Sequence, residues 1–266
     1  MDIIKTIITI ILGIIQGLTE WLPISSTGHL KIAEHFMNER IPLLFDFILH
    51  IGTLIVVLLF FRRDIKNILS ALVHLDFKTE HGKLIPLIIV GSIPAGIIGI
   101  ILNEPVNTAF QNTLPIAVAL VLSGIMLYSA KFAQEKNDTI GYSTAILVGA
   151  AEGIAIIPGI SRSGATIAVA LLLGIKREKA FKFSFLLSIP AILSVLGYNF
   201  AKRPGDLASA GLGWPEILTG VIVAMFIGYF ALKLLWKILR KKKFHLFAFY
   251  CWLLGTALIV LSLRGF

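Results

Sequence analysis

The chain has 266 residues, of which 57% are hydrophobic and only 15% are charged, and its formal net charge is +9. This composition, with a mean hydropathy of +0.89, excludes a soluble domain and is typical of a polytopic helical membrane protein. The positive charge does not indicate a nucleic-acid partner, because lysines and arginines cluster between apolar runs, where they set membrane orientation.

The chain begins with an apolar stretch, Ile3–Phe36, that is interrupted by the polar segment GIIQGLTEWLPISSTGH from Gly13 to His29. A second apolar stretch, Ser143–Ile175, is interrupted by GAAEGIAIIPGISRSGAT from Gly149 to Thr166. Three uninterrupted apolar runs follow each of them, and every run is near the roughly 20 residues needed to cross a bilayer. These runs are Leu43–Phe61, Leu84–Leu102, Leu114–Phe132, Ala180–Tyr198, Pro215–Ile238 and Leu246–Leu263.

Basic residues indicate how the interrupted stretches meet the membrane. Basic clusters flank the runs at Arg62–Lys66, Lys176–Lys182 and Arg240–Lys243, whereas the loop Asn103–Asn112 has no lysine or arginine. With the clusters in the cytoplasm, the runs alternate correctly only if Ser143–Ile175 enters and leaves on the inner side. By the same count, Ile3–Phe36 enters and leaves on the outer side. The alternative is two full spans for each interrupted stretch.

The sequence therefore predicts an all-α polytopic membrane protein with an inverted-topology repeat, built from about six full spans and two re-entrant helical hairpins. We expect one integral-membrane domain over residues 1–266. Its first repeat covers residues 1–135 and its second, inverted repeat covers residues 143–266. In such folds, functional sites lie near the membrane midplane, where broken helices meet.

The first interruption carries an acidic pattern. Gln16 and Glu20 are four residues apart and share a helical face with two glycines. A carboxylate at membrane depth is costly unless it is paired or hydrated, so Glu20 is a candidate catalytic base or, with Gln16, a ligand for a divalent cation. The small-x-x-x-small pairs Gly13/Gly17 and Gly149/Gly153 are interpreted as sites of close helix packing.

Hydroxyl groups and a histidine follow Pro23 at the predicted start of a short helix. Ser25 is either an N-cap or a substrate ligand, and Ser26 and Thr27 add two further hydroxyls. His29 lies just inside the helix, where the dipole favours a neutral imidazole that can act as a base or a nucleophile. Ser26 activated by His29 is the favoured nucleophile. Metal-activated water and direct attack by His29 remain alternatives.

The second interruption predicts an anion site. Arg162 offers a planar fork of donors that fits two phosphate oxygens at once, unless it serves a structural ion pair with Glu152 or Glu20. Hydroxyls and helix N–H groups around it extend the site. The predicted substrate-binding residues here are Ser161, Ser163, Gly164 and Thr166. Elsewhere, Asp46 and His50 share a helical face and are either a metal pair or a polar pair within the bundle.

The pattern Gln16-x-x-x-Glu20, the run PISSTGH from Pro23 to His29 and the run PGISRSGAT from Pro158 to Thr166 together resemble the undecaprenyl-diphosphate phosphatases. These are the integral-membrane bacitracin-resistance proteins, and the resemblance covers essentially the whole chain. It implies hydrolysis of undecaprenyl diphosphate with a divalent cation, Mg²⁺ or Ca²⁺. It also implies a cytoplasmic-membrane enzyme that contacts membrane lipids, opens to the outer face and often forms a homodimer.

By motif position, the resemblance makes Glu20, Ser26, His29 and Arg162 the catalytic candidates. Two other functions stay open. A phosphatidic-acid-type lipid phosphatase requires a histidine six residues after the arginine, where this chain has Ala168. A transporter or flippase of a polyprenyl phosphate would use a similar anion site between broken helices but would need no nucleophile.

Overall fold

The computed structural model describes residues 3–37, 43–202 and 213–264. Within them the chain is helical, and its only β-type pairing is an isolated bridge. The helices are α1 Ile3–Trp21, α2 Ser26–Met37, α3 Leu43–Phe60, α4 Arg62–Val73, α5 Leu84–Ala109, α6 Thr113–Ser129, α7 Tyr142–Ile154, α8 Arg162–Leu172, α9 Arg177–Lys202, α10 Trp214–Arg240 and α11 Phe247–Leu263. Short 3₁₀ turns extend α6 and precede α11.

Among the described residues, six helices are long and apolar enough to cross a membrane, namely α1, α5, α6, α9, α10 and α11. The all-α, multi-pass class is therefore confirmed. Helix α1, with 19 residues, is long enough to span on its own, although we assigned it to one arm of a hairpin. Helices α7 and α8 have only 13 and 11 residues, too few to cross a bilayer singly. The re-entrant course of both hairpins and the repeat boundaries stay predictions.

The predicted loop Asn103–Asn112 is mostly helical, because α5 continues to Ala109 despite Pro105. Val106 explains the extension. Its side chain is buried, and its carbonyl accepts the N–H of Phe110, so the last turn is anchored to the bundle rather than released as a loop.

Packing between the two halves is reciprocal. Helix α1 of the first half lies along α10 of the second, and α7 of the second half lies along α5 of the first. The predicted packing glycines make both contacts close: a Cβ on Gly17 would lie 2.7 Å from the carbonyl oxygen of Ala224. A Cβ on Gly149 would lie 1.9 Å from the carbonyl oxygen of Gly91. Each half of the chain thus contributes one helix to a close contact with the other half.

The two ends of the second hairpin lie side by side. Asn137, just before α7, pairs in an isolated parallel bridge with Ile175, just after α8. The N–H groups of Lys136 and Asn137 donate to the carbonyl of Gly174, and the N–H of Lys176 donates to the carbonyl of Asn137. The segment thus enters and leaves the bundle at the same end, as a hairpin must.

The basic clusters converge on this same end. Lys182 donates to Asp64 at 2.7 Å, Lys176 to Asp138 at 2.5 Å, and Lys179 contacts Glu80. These ion pairs connect the start of α9 with α4 and with the segments that precede α5 and α7. These basic residues therefore lie together at one end of the bundle.

Candidate active site

Both polar motifs break a helix and restart it with a serine N-cap. The Ser25 hydroxyl accepts the N–H of Gly28 at 3.3 Å, and the Ser161 hydroxyl accepts the N–H of Gly164 at 3.1 Å. A constant separation of 136 residues relates Ser25 to Ser161 and Gly28 to Gly164. The structure thus forms the N-cap alternative for Ser25, and the same side-chain hydrogen bond caps α2 and α8.

The two breaks are joined to each other. The Ser25 hydroxyl also accepts the N–H of Gly159, at 3.0 Å, and the Ser163 hydroxyl donates to the carbonyl oxygen of Trp21 at 3.1 Å. All four residues lie within the interruptions, so each hairpin supports the break of the other. This contact brings the acidic pattern of α1 against the start of α8.

Glu20 is the hub of the site. Its side chain is only 5% exposed. One carboxylate oxygen accepts the Ser26 hydroxyl at 2.6 Å and the Gln16 amide N–H at 3.1 Å. The other oxygen accepts a short hydrogen bond from the guanidinium of Arg162. The Ser26 hydroxyl is thus held against the Glu20 carboxylate. Because Ser26 is only half-buried, a substrate can still reach it.

Arg162 is held on three sides. Besides Glu20, its guanidinium lies 3.6 Å from the carboxylate of Glu152, and its centre lies 5.4 Å from the centroid of the Trp21 ring. Its side chain is 17% exposed. The guanidinium group that we predict to bind phosphate is thus paired with two carboxylates, but it keeps further N–H donors for an anion.

Glu152 belongs to the site although we did not include it among the predicted site residues. It stands 136 residues after Gln16, in the corresponding Gly-x-x-(Gln or Glu)-Gly pattern. Among the described residues, both of its buried carboxylate oxygens lack a hydrogen-bond donor, as does the amide oxygen of Gln16. Three hard oxygen atoms are therefore available at the site.

His50 on α3 is a further residue that the motifs did not indicate. Its Nε2 lies 3.4 Å from the Glu20 carboxylate, and its Nδ1 lies 2.8 Å from the carbonyl oxygen of Asp46, one turn earlier. Asp46 and His50 thus share a helical face as expected, but His50 faces Glu20 as part of a polar network. The i, i+4 spacing was the only signal for it in the sequence.

His29 is paired with Tyr250 rather than with Ser26. Its Nδ1 lies 2.7 Å from the carbonyl oxygen of Ser25 and must donate to it, which leaves Nε2 to accept the Tyr250 hydroxyl at 2.7 Å in the neutral ring. The two rings stack with centroids 5.7 Å apart. In the described chain no hydrogen bond joins Ser26 to His29, because the carbonyl and Tyr250 orient the ring elsewhere. No sequence signal pointed to Tyr250, which lies on α11.

Most of the remaining predicted substrate ligands form hydrogen bonds within the protein. Ser161 and Ser163 are buried, and their hydroxyls lie 3.2 Å from each other. Thr166 donates to the carbonyl of Arg162 at 2.8 Å and contacts Ser184 on α9. Thr27 is exposed. The first three fix the start of α8, which positions Arg162, whereas Thr27 is open to a ligand.

Charge balance indicates what else the site needs. Two buried carboxylates face one guanidinium and one histidine, so an entering diphosphate would add negative charge to a site with little positive charge to spare. Buried charges must be compensated. Within the described chain, no three acidic, histidine or cysteine side chains form a complete metal cage. The oxygens of Gln16, Glu20 and Glu152 nevertheless suit Mg²⁺ or Ca²⁺ if a substrate phosphate completes the ligand shell.

Comparisons with known proteins show the family of the chain. The family described as bacitracin resistance protein BacA matches residues 9–257, which include both motifs. A protein named undecaprenyl-diphosphatase from Halothermothrix orenii is 42% identical over 98% of this chain and 99% of its own length. Proteins of the same name from Korarchaeum cryptofilum and Methanosphaera stadtmanae are 39% and 37% identical, over 95% and 98% of this chain and 97% and 99% of their own lengths. The chain is therefore a member of the bacitracin resistance protein BacA family of multi-pass membrane proteins.

Proposed function

We propose that this protein hydrolyses undecaprenyl diphosphate to undecaprenyl phosphate and inorganic phosphate, which recycles the lipid carrier for cell-envelope polymers and confers bacitracin resistance. Family membership and the names of the relatives support the reaction. The geometry that carries it is the contact of Ser26 with one oxygen of Glu20 while Arg162 engages the other. The candidate nucleophile, Ser26, and the anion-binding guanidinium of Arg162 thus both contact the carboxylate of the candidate base, Glu20.

In the first step, the Ser26 oxygen attacks the terminal phosphorus of the substrate. Its proton passes to Glu20, 2.6 Å away, as the oxygen–phosphorus bond forms. The bond between this phosphorus and the bridging oxygen breaks, and undecaprenyl phosphate leaves with the electron pair. Arg162 and the first N–H groups of α8 stabilise the negative charge on the transferred phosphoryl group.

In the second step, water hydrolyses the phosphoserine. His29 is suited to accept the proton of this water, because its Nδ1–H is committed to the Ser25 carbonyl and its Nε2 is kept as an acceptor. Water must displace the Tyr250 hydroxyl from Nε2 for this transfer. The Ser26 oxygen leaves the phosphorus and regains the proton held by Glu20, and inorganic phosphate is released.

A divalent cation, Mg²⁺ or Ca²⁺, is part of the proposal. Gln16 and Glu20 would hold it, and Glu152, whose carboxylate oxygens accept no hydrogen bond among the described residues, shares Arg162 with Glu20. When bound, the cation would neutralise charge on the diphosphate oxygens. The supporting observation is the oxygen-only donor set beside two carboxylates that only one arginine and one histidine offset.

We place the protein in the cytoplasmic membrane with its site open to the outer face, and we expect a homodimer as the family resemblance implies. The ion-paired basic end supports the orientation, because it marks the inner side. Helix α2 starts at the site and leads away from that end. Ile32 on α2 packs against the cluster that includes Ile116, near the start of α6, and Leu258.

The decisive experiment measures phosphate release from undecaprenyl diphosphate by the detergent-purified protein, with Mg²⁺, with Ca²⁺ and with chelator. Cation-dependent release that is lost in Ser26→Ala and Arg162→Ala is expected. Ser92→Ala is the matched control, because within the described chain this hydroxyl bonds only to the Ile88 carbonyl of its own helix. If the folded wild type released no phosphate, transport of a polyprenyl phosphate would become the favoured function.

Acid quenching identifies the nucleophile. With substrate radiolabelled in its terminal phosphate, wild type should retain label on the chain, and Ser26→Ala should not. His29→Ala should accumulate the label, because the first step remains and the second slows. A parallel quench in neutral denaturant preserves phosphohistidine, which acid hydrolyses, and label on His29 in that sample would make that residue the nucleophile. Turnover without any label would indicate attack by water, with Glu20 as its base.

A further inference from the structure

A cavity of about 800 Å³ opens on the side of the bundle, away from the active site and close to the basic end. Its walls are apolar side chains of α3 and α10, among them Leu59, Phe60 and Phe226. Its rim is polar and includes Arg62 and Arg63, in the first turn of α4. The volume is within the range of small-molecule sites, and the combination of apolar wall and cationic rim fits an amphiphile.

The two rim arginines differ from the lysines at the start of α9. The lysines at the start of α9 are paired with carboxylates, as Lys176 with Asp138 and Lys182 with Asp64 show. Arg62 and Arg63 are exposed, and within the described parts of the chain neither forms an ion pair. Their positive charge is therefore available to an external anion.

Asp64 is the acidic group on the same rim, and it does not neutralise the arginines. Lys182 donates to its carboxylate at 2.7 Å, and His81 lies 3.1 Å from the same oxygen. Partial burial opposes the charged form of Asp64, but these two partners outweigh it and lower the pKa of the carboxyl below its ordinary value. Lys233 adds further positive charge, since its ammonium lies 4.4 Å from the ring of the wall residue Tyr229.

Helix α4 supports the location at a membrane surface. Its residues Ile65, Ile68, Leu69 and Leu72 recur at the spacing of one helical face, and Leu69 and Leu72 are exposed. A short helix with an apolar face and a basic first turn is typical of an element that lies in the lipid interface. The arginines would then stand at headgroup depth, with the apolar cavity leading into the hydrocarbon region.

We propose that this cavity is a binding site for an anionic phospholipid of the inner leaflet. The phosphate contacts Arg62 and Arg63, and an acyl chain lies against the apolar walls formed by α3 and α10. Helix α3 also carries His50, two turns from the cavity wall at Val56 and in contact with Glu20. The bound lipid would therefore brace the helix that lines the active site, without contributing to the reaction.

The test is lipid retention by the purified full chain in detergent, measured by native mass spectrometry during titration with phosphatidylglycerol or with phosphatidylcholine. Phosphatidylglycerol should bind at least tenfold more tightly. Charge removal by Arg62→Gln/Arg63→Gln should reduce its affinity on the order of tenfold, since each basic residue near a surface attracts anionic lipid. Filling the cavity with Leu59→Trp should reduce binding of phosphatidylglycerol while leaving both arginines in place.

Lys241→Gln/Lys243→Gln is the matched control, because it removes the same charge from exposed residues at the same end. It should change the affinity less than twofold. Thermal unfolding in detergent without added lipid reports that each variant is folded, whatever reaction the protein catalyses. Equal binding of both lipids, equal losses in the two double variants, or full binding by Leu59→Trp would each overturn the proposal.

Discussion

The hydroxyl of Ser25 accepts two N–H groups, from Gly28 of its own helix and from Gly159 of the other hairpin. Ser25 has a backbone φ of +70°, in the left-handed region that glycine adopts most readily. A single side chain thus caps α2 and aligns the two breaks that form the active site. The hydroxyl is the reason for a serine at a position whose backbone favours glycine.

Ser25→Ala and Ser25→Gly should therefore separate the backbone strain from the hydroxyl. Alanine loses the cap and keeps the strain, so it should lower the free energy of unfolding by about 1–2 kcal/mol. Glycine relieves the strain and should cost only a few tenths. Both variants lose the bond to Gly159, and both should lose activity. Thermal unfolding in detergent and phosphate release measure the two effects. Equal destabilisation by both substitutions would contradict this account.

Arg162 compensates two buried carboxylates, and this predicts separate effects on stability and on catalysis. Arg162→Ala should destabilise the protein by about 3–5 kcal/mol, because Glu20 and Glu152 lose their shared partner. It should also reduce kcat on the order of 10²–10³-fold, through loss of a transition-state donor. Adding Glu152→Gln should recover part of the stability but none of the activity. Recovery of both would reduce Arg162 to a structural ion pair.

Tyr250 holds His29 in one orientation, with the tyrosine hydroxyl on Nε2 and the rings stacked. Tyr250→Phe keeps the stacking and removes the hydrogen bond, so we expect kcat to change by about 2–10-fold with KM nearly constant. Tyr128→Phe on α6 is the control for loss of a tyrosine hydroxyl outside the site. Steady-state kinetics distinguish the outcomes. A change confined to KM would instead place Tyr250 on the path of the lipid substrate.

Local features explain how much of this architecture was predictable. Five of the six candidate spanning helices follow from the length of apolar runs, but the sixth is α1, and the predicted run Leu43–Phe61 is not among them. The breaks follow from proline, glycine and N-cap serines, so Ser25 and Ser161 lie where their neighbours indicated. Contacts between distant elements could not be predicted in this way. His50 and Tyr250 reach the site only because α3 and α11 pack beside the first hairpin. The predicted contact between Ser26 and His29 is not formed in the described chain for the same reason, because the His29 ring is bonded to Tyr250 instead.

The crossing of α7 and α5 provides a test of the reciprocal packing. A Cβ on Gly149 would lie 1.9 Å from the carbonyl oxygen of Gly91, so Gly149→Ala must push two backbones apart. Gly96 lies on the same helix as Gly91, and a Cβ there would meet no atom within 4 Å. Gly149→Ala should therefore lower the unfolding temperature and the phosphate release, because α7 carries Glu152. Gly96→Ala should be neutral or stabilise by up to about 1 kcal/mol, since alanine restricts the unfolded chain. Thermal unfolding of both variants in one detergent makes the comparison, and a tolerated Gly149→Ala would show that this helix contact is looser than the structure has it.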